Sequence, residues 1–83
     1  MSPSVIAVTV QDDHKLLVEF DNGQRGTLDM KPYLDFGVFS KLQDVDAFRR
    51  VKVVFDTIEW EVGCDLDPEF VYEKCGKTVP TQG

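Results

Sequence analysis

Histidine and tryptophan occur once each in these 83 residues, and cysteine only twice. A single imidazole, His14, with no serine or cysteine motif beside it gives little support for a nucleophile–base pair. Cys64 and Cys75 form no Cys-x-x-Cys or Cys/His cluster, so no zinc pattern is present. No apolar run reaches membrane-spanning length, and no basic-then-apolar start resembles a secretory signal. The expectation is a soluble, cytoplasmic protein. Positive charge is also short. Nine Lys and Arg face 15 Asp and Glu, for a net charge of −6 and a pI of about 4.5. Phosphate backbones repel such a surface, which argues against direct nucleic-acid binding. A basic protein partner is compatible with it, although acidic proteins are common. There is no internal repeat, interdomain linker or low-complexity tract.

What is present is ordinary for a globular chain. Hydrophobic residues make up 42% and charged residues 29%, which argues against disorder. The length predicts one small domain over 1–83, close to the size at which a lone core only just suffices. An ordered core over about 5–76 and a mobile tail over 77–83 are expected, the tail having Pro80 and no periodicity.

Val5–Val10 is apolar or β-branched throughout and reads as a strand with both faces partly covered. Asp12, Asp13 and His14 are turn material. Lys15–Phe20 alternates, with Leu16, Val18 and Phe20 on one face. Asp21-Asn22-Gly23 is a hairpin signal, since Asn-Gly tolerates positive φ at both central positions. Gln24–Met30 follows as a third strand with Gly26, Leu28 and Met30 on one side. Pro32, Tyr33 and Leu34 suit one helical turn. Phe36 to Phe39 is an apolar connector, and Phe39 and Leu42 have i,i+3 spacing. Asp44 caps a short helix over Val45–Arg50 whose apolar members are Val45, Ala47 and Phe48. Val51–Phe55 reads as a strand with Val51, Val53 and Phe55 on one face, linked through Asp56-Thr57 to the next.

The most informative stretch is Ile58–Tyr72. Ile58, Trp60 and Val62 alternate with Glu59 and Glu61, the period of a half-buried strand. Gly63 relieves the backbone at a turn. Asp67 is placed as an N-cap, Pro68 at the first helical position and Glu69 at the positive end of the helix dipole. Leu66 and Val71 have the spacing of a hydrophobic staple. Gly76 suits a left-handed helix end. The predicted fold is α+β. An antiparallel three-strand meander is followed by a short helical segment, a β-hairpin and a C-terminal helix on one sheet face. Together they bury Val18, Phe20, Leu28, Phe55, Trp60 and Phe70.

Trp60, Gly63, Asp65-Leu66-Asp67-Pro68-Glu69 and Tyr72 together resemble the family known as domain of unknown function 2442. Val18-Glu19-Phe20-Asp21-Asn22-Gly23, Leu28-Asp29 and the trio Phe39, Leu42 and Phe48 are similar to its earlier parts. The likeness runs from about Val5 to Lys74. It departs at Glu61-Val62, where the family often has Pro-Asn. The resemblance implies a small bacterial α+β domain with no established activity. It also implies likeness to the N-terminal domain of some helix-turn-helix proteins, and for stand-alone members a toxin–antitoxin-like gene arrangement. Since the sequence closes soon after the last predicted helix, the expectation is a chain similar to the stand-alone type, without a DNA-reading module of its own.

Each candidate for chemistry has a plainer reading. Asp65, Asp67 and Glu69 alternate carboxylates but lack EF-hand spacing, and cap and dipole roles account for them. His14 beside Asp12 and Asp13 reads as an exposed turn histidine rather than a metal or acid–base fragment. Cys64 precedes a helix start, where a thiolate is favoured, yet a buried structural thiol is the commoner case. Arg49-Arg50-x-Lys52 is a basic spot that suits a solvated edge or an acidic partner surface. Trp60 and Tyr72 read as core, with a partner anchor as the alternative. No catalytic residue, metal ligand or cofactor is assigned. The leading expectation is a non-catalytic, antitoxin-like interaction module. It would bind a basic or toxin-like protein, or pair with itself through the edge strand Val5–Val10. The alternatives are a small metal-dependent or thiol enzyme, and a regulator reaching DNA through a partner.

Overall fold

The computed structural model describes residues 3–77. Three strands open the chain: β1 (Val5–Gln11), β2 (Lys15–Phe20) and β3 (Arg25–Asp29). They form the expected antiparallel meander, with Val8 opposite Val18 and Leu16 opposite Leu28. Period-two alternation does its work here. Leu16, Val18 and Phe20 of β2 and Leu28 of β3 are all buried on the inner face. β1 carries a bulge between Val5 and Ala7, and the extra residue, Ile6, is left exposed.

The β2–β3 connection differs from a two-residue Asn-Gly turn. Gly23 N–H donates to the Phe20 carbonyl (3.1 Å), Phe20 N–H donates to Gln24 (2.9 Å), and only Gly23 takes positive φ (+88°). This is a three-residue loop closed by a left-handed glycine. The Asn22 side chain braces it from within, accepting from Gln24 N–H at 3.0 Å and donating to Gln24 Oε1 at 2.8 Å.

Two 3₁₀ segments, Lys31–Tyr33 and Gly37–Gln43, lead to the helix α1 (Val45–Arg49). Asp44 caps it as predicted, accepting from Asp46 N–H at 3.1 Å. Ala47 and Phe48 are buried, but Val45 points to solvent. The hairpin β4 (Val51–Val54) and β5 (Thr57–Trp60) makes a separate two-stranded sheet. It lies against β1, and Val5 N–H donates to the Asp56 carbonyl at 3.1 Å. So β1 is an outer strand of the four-stranded sheet, but the start of its outer edge is taken by the hairpin.

The helix α2 (Pro68–Lys74) comes last, followed by the short strand β6 (Gly76–Lys77) on β3. Gly76 therefore does not end the helix in a left-handed conformation. Cys75 is the C-cap, with extended φ −73° and ψ 130°, and Gly76 pairs with Thr27. The expected mobile tail lies outside the described residues, apart from Lys77, whose backbone pairs with Gly26. No helix among the described residues is long and apolar enough to cross a membrane.

Candidate functional site

Trp60 is wholly buried. Its indole N–H donates to the Phe48 carbonyl at 2.9 Å, one of the carbonyls that the end of α1 leaves without a helical partner. The Phe48 ring lies 5.9 Å from the indole. Beyond Trp60 the chain repeats the device seen after Phe20. Gly63 N–H donates to the Trp60 carbonyl (3.0 Å), Trp60 N–H donates to Cys64 (2.8 Å), and Gly63 takes φ +105°. Glu61 and Val62 thus belong to a three-residue loop, and the strand ends at Trp60 instead of continuing to Val62. The returning segment occupies the outer edge of β5, with Glu59 bridged to Asp65 and Leu66 N–H donating to Ile58 at 3.1 Å.

Of the acids in this stretch, Asp67 has a structural contact through its side chain. Asp67 caps α2, accepting from Glu69 N–H at 2.8 Å, with Pro68 and Glu69 in the first turn. Leu66 and Val71 are both in the core. Tyr72 stacks edge-on against Phe20 at 5.1 Å, and its hydroxyl donates to Gln24 Oε1. The helix is thereby tied to the β2–β3 loop. Among the described residues, no three His, Cys, Asp or Glu side chains are grouped to hold a metal ion.

Cys64 and Cys75 are buried thiols. The Cys64 thiol donates to the Val38 carbonyl at 3.3 Å. Burial pushes its pKa up, Asp65 adds to this, and Lys41 opposes it. Its place before a helix start does not activate it, because it points into the core and not into the open helix end.

A groove of about 520 Å³ lies between the β1–β2 turn and α1, lined by residues including Val10, Asp12, His14, Phe48 and Arg49. His14 is not the exposed turn residue expected from its neighbours. It is half-buried, its ring lies 4.9 Å from Phe48, and its Nε2 is buried without a hydrogen-bond partner. Asp13 (φ +67°) and His14 (φ +57°) are both left-handed, a region in which Asp and His are enriched among non-glycine residues. Asp13 is engaged elsewhere. Lys31 Nζ lies 2.9 Å from its carboxylate and 3.2 Å from Asp29. The hydrogen bond and charge of Lys31 lower the Asp13 pKa, and the same pairing raises that of Lys31. The buried Nε2 faces no partner among the described residues, and no hydroxyl or thiol side chain among them lines the groove beside the imidazole. Arg49 lines the groove, whereas Arg50 ends α1 and Lys52 sits on β4 opposite Glu59. The basic triplet is therefore spread over three structural positions.

The largest departure from expectation is Phe55. Strand alternation puts it on the buried face with Val51 and Val53, but it is 96% exposed. β4 ends one residue sooner than predicted, and the two-residue turn is Phe55–Asp56. Thr57 is drawn into β5 instead, where its hydroxyl donates to the Leu66 carbonyl at 2.5 Å. Phe55 takes φ +57°, at the first central position of the turn, where glycine is favoured when that position alone has positive φ.

Residues 5–77 match the model of the family described as Protein of unknown function (DUF2442). The chain belongs to that family. The DUF2442 match spans the meander, the hairpin, α2 and β6. No curated protein matches the chain, and no solved structure does either.

Proposed function

We propose that this DUF2442 chain is a non-catalytic protein-interaction module. One observation carries the reading. The core around Trp60 is closed, yet Ile6, Phe36, Val38, Val45 and Phe55 remain exposed. Single exposed apolar residues are common on any folded chain. Phe55 is different, because neither packing nor backbone preference accounts for it. The antitoxin-like role suggested by the family resemblance is one specific form of this reading, with a basic partner as its counterpart. Self-pairing through a strand edge is the less favoured form. The start of β1 is hydrogen-bonded to the hairpin, and β5 is covered by the segment after Gly63.

The test is co-purification of the full chain from its native host, with the mass of the complex measured in solution. A stoichiometric partner is expected. A chain that stays monomeric and recovers no partner in repeated preparations would overturn the reading.

A further inference from the structure

We infer that the β4–β5 hairpin tip is the anchor of the interface, with the Phe55 ring entering an apolar pocket on a basic protein. This rests on the interaction reading above and names its surface and its class of partner. Two independent features meet at Phe55. The ring is almost fully in water, at 96% exposure, and its backbone holds φ +57°, a conformation that a residue with a large side chain rarely adopts. Folding alone favours a glycine or asparagine there. A ring kept at such a position is useful only when something covers it, and phenylalanine is among the residues enriched at the cores of interfaces relative to the rest of the surface.

The surroundings indicate what covers it. Val5 N–H donates to the Asp56 carbonyl at 3.1 Å, and Asp21 N–H donates to the Ser4 carbonyl at 2.8 Å. These bonds bring the start of β1, and with it the exposed Ile6, to the hairpin end that carries Phe55. They also place Asp21 and Asp56, both exposed, at the rim. The nearest cation on the hairpin is Lys52, three residues before Phe55 and paired across the strands with Glu59. An apolar tip with an acidic rim, on a chain of net charge −6, complements a basic surface with an apolar pocket. It repels a second copy of itself.

The experiment incorporates p-benzoylphenylalanine at position 55 of the full chain in its native host, followed by irradiation and identification of the adduct. The purified adduct partner is then titrated against the parent chain, Phe55→Gly, Phe55→Asn and the double variant Asp21→Asn/Asp56→Asn. The expected partner is one protein of net positive charge. Phe55→Gly and Phe55→Asn should each weaken binding by about 30-fold or more, the scale of an aromatic hot spot, while the melting temperature holds or rises. The double variant should slow association and flatten its salt dependence. The inference is overturned by an adduct with an acidic protein or a second copy, by no adduct, or by unchanged binding of both Phe55 variants. A partner that co-purifies equally with parent and Phe55→Gly leaves the interaction reading intact and removes the hairpin tip from it.

Discussion

Replacing Trp60 with phenylalanine separates two things that the indole does. The side chain is wholly buried and donates to the Phe48 carbonyl at 2.9 Å. Truncation to alanine withdraws about 200 Å² of apolar surface from the core, or ~5 kcal/mol at ~25 cal/mol/Å². Large-to-small changes at buried tryptophans cost about 3–5 kcal/mol, and the orphaned carbonyl adds about 1–3 kcal/mol. A chain of this size has total stability on the order of 4–12 kcal/mol. Trp60→Ala is therefore expected to be largely unfolded or close to it. Trp60→Phe keeps most of the buried area and loses the donor, so it should cost about 1–3 kcal/mol and stay folded. With a urea dependence of about 1 kcal/mol/M, the midpoint falls by roughly 1–3 M. Far-UV circular dichroism reads this without needing the lost fluorophore. A Trp60→Phe midpoint within about 0.3 M of the parent would refute the claim that the indole N–H satisfies the end of α1.

Three further outcomes follow from the same geometry. Asp67→Ala should cost about 1 kcal/mol through loss of the α2 cap, and neither calcium nor chelator should change the parent's melting temperature. A calcium-dependent shift would return the acids around Asp67 to the metal-ligand reading. Cys64 should resist a disulfide reagent in the native chain at pH 7 and react at the rate of unfolding, since burial raises its pKa. Fast stoichiometric labelling would restore the thiol-enzyme alternative. Asp13 and Asp29 have pKa values below the ordinary 3.8. For Asp29, burial acts the other way but is outweighed by the backbone and side-chain hydrogen bonds of Lys31. Their contribution is complete above the unfolded value and is lost as pH falls through the lowered folded values. Lys31→Met should flatten that acid limb of the stability profile. The effect should be small and salt-sensitive because the groups are exposed, and an unchanged limb would remove Lys31 as its source.

The meander and the terminal helix were legible because each rule that specifies them is local. Alternation marks β2 and β3, and Asp67-Pro68-Glu69 writes a helix start within three residues. The hairpin tip was not legible, because period two places Phe55 with Val51 and Val53. Only the tertiary bond from Thr57 to Leu66 shows why the turn moves one residue earlier. Both Gly-closed loops look alike only in the structure. Asn22-Gly23 and Val62-Gly63 share little but the glycine, and what they share is a hydrogen-bond pattern. His14 and Phe48 lie far apart in sequence, so no spacing could bring them together at the groove. Gly76 carried a real helix-end signal that sheet pairing with Thr27 overrode.

The most direct test of the functional account is the stability of Phe55→Gly. An aromatic residue in a left-handed turn position carries roughly 1–2 kcal/mol of backbone strain, glycine forfeits about 0.5–1 kcal/mol in chain entropy, and a ring that is 96% exposed loses little packing. Urea denaturation should therefore find Phe55→Gly as stable as the parent or more stable, by up to about 1.5 kcal/mol. A loss greater than about 1 kcal/mol would mean that the ring supports the fold, and it would contradict the claim that Phe55 is held outward for a partner.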